Sequence, residues 1–277
     1  MPLPEPSPSS TAIVTGASSG IGREFARQLG ARGHRVTLVA RREERLREQA
    51  HELASQNGVE AEVVAADLSD ESQRDRLALE LEQRGLTVEI VVNNAGFGIY
   101  RPLYASDRKR ELEQVRVDVE AVVDLNARYV PGMVERRRGT VIVVSSAAGF
   151  QPLPGNGTYS ASKAFALVHA EALSAEVAPY GVTVTAVTPG LVETEFVETS
   201  EAAFAQHVPK LLWTDPKRVV DDALRAAERG RRSVIPGGIV IKAVLGPNRV
   251  IPTAITMPVS RFLMRDELRR GRSQSSP

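Results

Sequence analysis

Short apolar segments alternate along the chain with longer amphipathic ones. The clearest short segment, 141–144, is β-branched and apolar at every position, which is typical of a strand buried on both faces of a parallel sheet. By the same criterion, strands are predicted at Ala12–Thr15, Arg35–Ala40, Glu60–Ala65, Glu89–Val92, Thr140–Ser145, Thr183–Thr188 and Ser233–Ile235. Helices are predicted between them, near 21–32, 43–56, 70–84, 107–137, 158–178 and 215–229.

This order of elements predicts an α/β fold with a doubly wound parallel β-sheet, flanked by helices on both faces and joined by right-handed crossovers. The sheet is expected to have about seven strands. No internal repeat or linker divides the chain, so we expect a single domain over 11–235. It would follow a flexible leader over 1–10 and precede a C-terminal extension over 236–277.

Composition narrows the class of protein. The chain has 277 residues, 42% of them hydrophobic and 25% charged, as in an ordinary globular domain. It has no cysteine, which excludes disulfides, thiolate metal sites and a cysteine nucleophile. The 35 basic and 34 acidic residues nearly cancel, which argues against nucleic-acid binding.

Metal and membrane signals are also weak. The four histidines have no metal-ligand spacing, so no metal site is expected. No apolar run is long enough to cross a bilayer, and the proline-rich residues 1–10 do not resemble a signal peptide. We therefore expect a cytoplasmic protein.

Glycines recur between the first predicted strand and the first helix. Residues 15–22 read Thr-Gly-Ala-Ser-Ser-Gly-Ile-Gly. Glycines there let the backbone turn tightly and approach a pyrophosphate, which then lies against the exposed amides of the helix N-terminus. Because the spacing differs from the common dinucleotide-binding pattern, the strand–loop–helix placement carries more weight than the glycines themselves.

Three further motifs follow along the chain: Asn-Asn-Ala-Gly at 93–96, Tyr-Ser-Ala-Ser-Lys at 159–163 and Pro-Gly at 189–190. With the glycine loop, they make residues 11–230 resemble the classical short-chain dehydrogenase/reductase family. The resemblance implies a Rossmann-type fold, a nicotinamide cofactor and hydride-transfer chemistry. It also implies that the cofactor is bound by Gly16, Ser18, Ser19, Gly20, Ile21, Gly22, Asp67, Leu68, Asn94, Ala95, Gly96, Tyr159, Lys163, Pro189, Gly190, Val192 and Thr194.

The end of the second predicted strand indicates which nicotinamide cofactor binds. An acidic residue in this region suits the ribose 2′-hydroxyl of NAD, whereas a basic residue suits the 2′-phosphate of NADP. Here the strand is followed by Arg41 and Arg42, whose guanidinium groups can bind a phosphate through paired hydrogen bonds. We therefore expect NADP(H). The alternative is that both arginines are solvated residues at the start of a helix.

Tyr159 and Lys163 are four residues apart, so a helix would place both on one face. A tyrosine is a poor acid–base catalyst near neutral pH unless a cation stabilises its phenolate, and Lys163 could supply that cation. In the resembling family, a serine 13 residues before the tyrosine hydrogen-bonds the substrate oxygen, which selects Ser146 over Ser145. The resemblance thus implies a catalytic set of Ser146, Tyr159 and Lys163, with Tyr159 as general acid/base.

One position departs from the family pattern. The family usually has an asparagine 13 residues before a proline in its fourth helix, where it holds a water that extends the proton relay to the lysine. Counting back from Pro131 gives Asp118. We expect the ammonium group of Lys163 to keep this carboxylate ionised, and the carboxylate to weaken the stabilisation of the Tyr159 phenolate. The alternative is that Asp118 is a solvated helix residue.

Apolar residues dominate the segments expected beyond the carboxyl ends of the strands, where such folds bind ligands. They predict a lipophilic ketone, aldehyde or secondary alcohol as substrate, although each could instead pack the loops onto the sheet. Two functions stay open: an oxidoreductase, favoured by the intact catalytic set, and an NADP-binding sensor or assembly protein with little turnover, favoured by Asp118. The candidate substrate residues are Phe97, Phe150, Leu153, Phe196 and Trp213.

Two expectations concern surfaces. The extension, 236–277, is apolar and basic, and we expect it to pack on or near the substrate side, with a disordered end. Peripheral membrane contact is the less favoured alternative, because prolines interrupt any long amphipathic helix. The helices near 107–137 and 158–178 are apolar on more than one side, which, with the resemblance, predicts a homodimer or homotetramer.

Overall fold

Parallel strands form a single large sheet in the computed structural model, which describes residues 3–200 and 202–273. The strands are β1 (Ser10–Thr15), β2 (Val36–Ala40), β3 (Ala61–Ala65), β4 (Thr87–Asn93), β5 (Gly139–Val144), β6 (Val182–Val187), β7 (Leu191–Val192), β8 (Trp213–Thr214) and β9 (Ser233–Val234). Seven of them pair in the order β3-β2-β1-β4-β5-β6-β9, while β7 and β8 form a separate pair. The predicted Rossmann-type sheet is confirmed, and its order reverses between β1 and β4, where such sheets bind ligands.

Helices connect the strands and form the C-terminal extension. They are α1 (Gly20–Gly30), α2 (Glu43–Asn57), α3 (Glu71–Gln83), α4 (Arg108–Val115), α5 (Ala121–Glu135), α6 (Gly157–Val177), α7 (Glu195–Thr199), α8 (Pro216–Glu228), α9 (Ile239–Leu245), α10 (Thr253–Leu263) and α11 (Arg265–Ser273). The helix predicted near 107–137 is present over 108–135, but it is not regular throughout. A π-helical turn, Arg116–Glu120, separates α4 from α5, and such turns shift the side chains that follow around the helix axis.

Successive side chains of each strand feed two separate hydrophobic cores, because strand residues alternate between the faces of a sheet. Ile13 of β1 packs in one core with Leu125 of α5. Its neighbour Val14 packs in the other, with Phe25 of α1 and Leu224 of α8. This double coverage explains the nearly continuous apolar sequence of the strands.

The extension packs beside the loops that follow β4 and β5. Its last helix, α11, contacts a 3₁₀ turn at Leu103–Ala105 and another at Ala203–His207. Glu267 of α11 is buried and accepts a hydrogen bond from the backbone N–H of Phe204 at 2.8 Å. The side chain of Gln151 donates to the carbonyl oxygens of Asn248 (2.5 Å) and Ile251 (2.9 Å). The described part of the extension therefore lies at the same edge of the sheet as the catalytic motifs.

Residues 3–9 of the predicted leader are described. Leu3 packs against the core that contains Phe25 of α1, and Pro4 is buried. The far end of the extension, 274–277, lies outside the described residues. Within residues 3–200 and 202–273, no helix has the length and apolar character needed to cross a bilayer.

Candidate active site

Hydrogen bonds join the glycine loop to the end of β4. The Thr15 hydroxyl accepts from the backbone N–H groups of Asn94 and Ala95, both at 2.9 Å, and donates to the carbonyl oxygen of Val92 at 3.0 Å. In return, the Asn94 side-chain amide donates to the Thr15 carbonyl oxygen at 2.9 Å. These bonds fix the glycine loop and the Asn-Asn-Ala-Gly motif against each other at the switch point of the sheet.

The glycines of this loop have conformations and contacts that other residues would disturb. Gly16 and Gly20 have positive φ angles of +65° and +53°, and a Cβ on Gly22 would lie 2.3 Å from the Gly16 carbonyl oxygen. α1 begins at Gly20, and the side chain of Ser19 does not cap its first amides. The loop therefore leaves amide donors at a helix N-terminus, which fits a pyrophosphate.

The side chain of Thr194 packs against the glycine loop at Gly20. Its methyl carbon would be 2.9 Å from a Cβ on Gly20. Val192, two residues earlier, is buried in the core that also contains Phe25 and Leu224. The partly buried Ile21 packs against the same core. The segment that follows β6 therefore packs against the glycine loop.

Arg42 is the arginine that contacts the glycine loop. Its Nη2 atom donates to the hydroxyls of Ser19 (2.9 Å) and Ser18 (3.1 Å), and its Nε atom donates to Ser18 at 3.2 Å. Its Nη1 atom donates to a carboxylate oxygen of Glu195 at 2.9 Å, and Arg45 donates to the other oxygen at 2.5 Å. Hydrogen bonds from both arginines lower the pKa of Glu195.

Arg41 and Asp67 lie at the neighbouring strand ends. The Arg41 side chain is 63% exposed and pairs with Glu113 at 3.3 Å. One Asp67 oxygen accepts from the backbone N–H (2.9 Å) and hydroxyl (2.8 Å) of Ser69, and Leu68 is buried. The cap of α3 is Asp70, which accepts from the Ser72 N–H. Asp67 is therefore not needed as the helix cap.

The Tyr-Ser-Ala-Ser-Lys motif lies at the N-terminal part of α6, where Tyr159 and Lys163 are both buried. The Lys163 Nζ atom is 5.5 Å from the centre of the Tyr159 ring and donates to the Val144 carbonyl oxygen at 3.4 Å. Burial raises the pKa of the Tyr159 phenol well above its usual value, as do Tyr100 and Asp118, while a hydrogen bond with Ser146 opposes the rise. The phenol consequently retains its proton at neutral pH.

Asp118 lies in the π-helical turn and faces this pair. Its side chain is 0% exposed, and its Oδ1 atom is 3.6 Å from Lys163 Nζ, so the alternative of a solvated residue is wrong. Burial raises the pKa of Asp118, and the opposing effect of Lys163 is smaller. Burial and the ammonium group of Lys163 therefore act in opposite directions on the acidity of Asp118.

Ser145 and Ser146 have different roles at the end of β5. The Ser145 hydroxyl donates to the Lys163 carbonyl oxygen at 2.6 Å, so it ties β5 to α6. The Ser146 hydroxyl accepts from the Ala148 N–H at 3.1 Å and donates to the Pro189 carbonyl oxygen at 3.4 Å. Ser146 thereby lies between α6 and the Pro189–Gly190 motif.

An aromatic cluster adjoins the Tyr159 ring. Phe196 lies 5.7 Å from Tyr159 and Tyr100 lies 6.3 Å from it, centre to centre, while Phe204 lies 5.4 Å from Tyr100. Trp213 packs against the same cluster and donates from Nε1 to the Val208 carbonyl oxygen. Among the predicted substrate residues, Phe196 is therefore next to the tyrosine and Trp213 is in its surroundings.

The other three predicted substrate residues have different contacts. The Arg110 guanidinium lies 4.7 Å from the centre of the Phe97 ring. Phe150 packs against the core that includes α5 and α6, and Leu153 is partly buried. Across the described residues, no group of three or more histidine, aspartate or glutamate side chains could hold a metal ion.

Two residues of this site, Tyr100 and Glu195, lie in segments expected beyond the strand ends, but the sequence motifs gave neither of them a role. Tyr100 lies in an apolar segment, but no spacing rule linked it to Tyr159. Glu195 lies 153 residues from Arg42, and only the fold brings the two together. For Glu195, the available sequence signal was an acidic residue shortly after Pro189–Gly190.

Comparisons with known proteins identify the class to which this site belongs. The family model described as short chain dehydrogenase matches residues 10–204. The chain therefore belongs to the short-chain dehydrogenase family of oxidoreductases, as the motifs predicted.

Particular relatives sharpen this result. The chain is 36% identical over 204 residues to a very-long-chain 3-oxoacyl-CoA reductase of Anas platyrhynchos, a match that covers 72% of this chain and 65% of the relative. A second such reductase, of Phaeosphaeria nodorum, is 33% identical over 77% of this chain and 62% of its own length. The chain thus spans slightly less than two thirds of the length of these relatives.

Among solved structures, a short-chain dehydrogenase from Sphingobium yanoikuyae in complex with NADPH is 30% identical, with a TM-score of 0.76 over 88% of this chain and 97% of that one. A bulky-bulky ketone specific alcohol dehydrogenase from Comamonas testosteroni is 28% identical, with a TM-score of 0.72 over 88% and 95% of the two chains.

A substitution at Gly96 tests the packing around Asp118 and Lys163. An added Cβ would lie 2.3 Å from Asp118 Oδ1 and 2.9 Å from Lys163 Nζ. Gly96→Ala should therefore destabilise the protein by about 1–3 kcal/mol. Gly157→Ala is the matched control, since its Cβ would meet nothing within 4 Å, and it should change stability by less than about 0.5 kcal/mol. Urea unfolding measures both, and equal stability of the two variants would contradict the described packing.

Proposed function

We propose that this protein is an NADP(H)-dependent oxidoreductase that transfers a hydride between the nicotinamide and a lipophilic ketone, aldehyde or secondary alcohol, with Tyr159 as general acid/base. The observation that carries the proposal is the buried arrangement of Tyr159 and Lys163 on one face of α6, with Asp118 3.6 Å from the lysine. A protein that only bound the nucleotide would not need this arrangement. The expected cytoplasmic location remains a prediction.

The residues of the glycine loop would hold the pyrophosphate, through the amides at the start of α1. Arg42 and Arg41 would bind a 2′-phosphate, while Asp67 and Leu68 would border the adenine. Lys163 would reach the ribose on the nicotinamide side. The segments that would enclose the rest of the cofactor are 94–96 and 189–194. When bound, the nicotinamide supplies or accepts the hydride.

Tyr159 would move the proton that accompanies hydride transfer. Because burial raises the pKa of its phenol, the group is protonated at neutral pH and can donate to a carbonyl oxygen during reduction. Ser146 would hydrogen-bond the same oxygen and orient it. Lys163, 5.5 Å from the ring centre, would stabilise the phenolate left behind.

Two observations support a lipophilic substrate. The rings of Phe196 and Tyr100 lie beside Tyr159, and apolar side chains extend from them to Met264 of the extension. The similar proteins include reductases of very-long-chain 3-oxoacyl-CoA and an alcohol dehydrogenase specific for bulky ketones. Because the chain spans less than the full length of those reductases, their substrate is a candidate to be assayed with other lipophilic carbonyls.

Tyr159→Phe tests the acid/base role. The variant keeps the ring but loses the transferable proton, so turnover should fall by about 100- to 10,000-fold while NADPH still binds. The measurement is NADPH oxidation with a panel of lipophilic carbonyls, with nucleotide binding measured separately. Near-normal rates on several carbonyls would contradict the assignment. An inactive wild type that binds NADPH would favour the sensor or assembly function instead.

Cofactor preference should depend on the arginines after β2. The wild type should prefer NADPH over NADH by about tenfold or more, equivalent to about 1.4 kcal/mol. The double variant Arg41→Ala/Arg42→Ala should lose most of this preference with little change in NADH affinity. Glu195→Gln should tighten NADPH binding, because Glu195 now competes for Arg42 and Arg45. Titration calorimetry measures each affinity, and equal wild-type affinities for both cofactors would contradict the proposal.

Asp118→Asn tests the effect of a carboxylate at the relay position. Asp118 raises the pKa of Tyr159, so its neutral replacement should lower that pKa. The basic limb of the reduction profile, where the phenol loses its proton, should then move to lower pH. Cofactor binding should be retained, and turnover maintained or increased. Superimposable pH–rate profiles would show that Asp118 does not influence the tyrosine.

We also propose a homodimer or homotetramer assembled through α4, α5 and α6. Exposed apolar side chains on these helices support it, among them Val123, Phe165 and Val168. Val168 is 66% exposed, so Val168→Asp should weaken assembly without disturbing the core. Leu79→Asp on α3 is a control at another exposed apolar position. Light scattering should show the wild type above 30.0 kDa, and a wild-type monomer at micromolar concentration would contradict the proposal.

A further inference from the structure

The outer face of α10 is apolar. Ile255, Val259 and Phe262 follow one another at intervals of four and three residues, the spacing of one helix face, and all three are exposed. The opposite face is anchored to the protein, since the Thr256 hydroxyl donates to the Gln151 side chain at 2.5 Å and Met264 is buried. The helix therefore exposes to solvent apolar side chains of the kind that a globular protein normally buries.

Apolar exposure continues through the rest of the extension. Ile239 at the start of α9 is 83% exposed and Val250 before α10 is 81% exposed. Exposed apolar side chains that are grouped along one segment indicate an interaction site. We define the docking face as Ile239, Val240, Val244, Val250, Ile255, Val259, Phe262 and Leu263, each of them exposed.

The charge of the same segment indicates what covers this face. The chain as a whole is nearly neutral, yet residues 236–265 contain no aspartate or glutamate and include Lys242, Arg249, Arg261 and Arg265. All four are exposed; Arg249 is paired with Glu171, and Arg265 neighbours Asp266 at 4.0 Å. The guanidinium of Arg265 also lies 4.6 Å above the Phe262 ring. Apolar side chains flanked by cations are typical of helices that lie in the interface of anionic membranes.

We propose that the docking face binds an anionic phospholipid surface, with α9 and α10 lying in the plane of the headgroups. A second copy of the chain is a poorer partner, because a symmetric contact would bring the two basic segments together. The prolines divide the segment into two short helices instead of one long helix: Pro247 and Pro252 fall between α9 and α10, and Pro258 lies inside α10. Neither helix, at 7 and 11 residues, needs to span the bilayer.

The position of the face relates it to the catalytic edge of the sheet. Gln151, which holds α10 and the turn before it, lies five residues after Ser146. Met264, at the end of α10, packs in the cluster that contains Tyr100. Docking would thus bring the candidate substrate pocket to the membrane surface. This consequence rests on the proposed function, whereas lipid binding itself does not.

Co-sedimentation of the full chain with vesicles tests the proposal. Vesicles of phosphatidylcholine with about 30 mol% phosphatidylglycerol should bind the protein, and pure phosphatidylcholine vesicles should bind it much less. Binding should weaken as salt rises, because the charges are exposed. Phe262→Ser should weaken binding by about tenfold or more, since it removes a large interfacial side chain. Arg261→Gln should weaken it about fivefold, equivalent to about 1 kcal/mol.

Matched controls separate docking from general stickiness. Leu79→Ser and Arg76→Gln alter exposed residues of α3 and should bind vesicles as the wild type does. All four variants should keep the wild-type melting temperature and the wild-type rate on a water-soluble carbonyl. Failure of that activity in every protein would reject the proposed function and leave the vesicle result intact.

Three outcomes would overturn the proposal: no binding of the wild type to anionic vesicles, equal binding of wild type and Phe262→Ser, or equal losses in the α3 controls. A Phe262→Ser variant that lowers the mass in light scattering without changing vesicle binding would assign the face to self-association instead.

Discussion

The buried contact between Lys163 and Asp118 is the interaction on which the rest of the site depends. Removing both groups from water is costly unless the surrounding structure holds them in position. The π-helical turn at Arg116–Glu120 carries Asp118, and the absence of a side chain at Gly96 leaves room for the pair. α6 then fixes Tyr159 one helical turn from Lys163. A change in any of these features would move the acidity of the phenol.

Much of this arrangement could be predicted from the sequence. The apolar strands are short and uninterrupted, so they indicated a parallel sheet covered on both faces. The resemblance to the family grouped Gly16, Asn94 and Tyr159 in advance, and the sheet accounts for their proximity because the carboxyl ends of parallel strands meet at one edge. The family pattern also selected Asp118 by its distance from Pro131, and the structure places that side chain beside Lys163.

The remainder depends on tertiary contacts that leave little trace in the sequence. Nothing in residues 107–137 distinguishes a π-helical turn from regular helix, so the interruption was not predicted. The approach of Glu195 to Arg42 joins segments on opposite sides of the cofactor site. The complete burial of Asp118, which raises its pKa, cannot be read from spacing. The short helices of the extension were hidden by their prolines.

The central claim is that this site transfers a hydride from NADPH to a carbonyl carbon. Its most direct test uses NADPH deuterated at the transferable position, supplied with lipophilic ketones and aldehydes, and mass spectrometry of the product alcohols. We predict deuterated alcohol from at least one carbonyl with the wild type, and almost none with Lys163→Ala. Wild-type protein that binds NADPH yet yields no deuterated alcohol from any carbonyl would contradict the account.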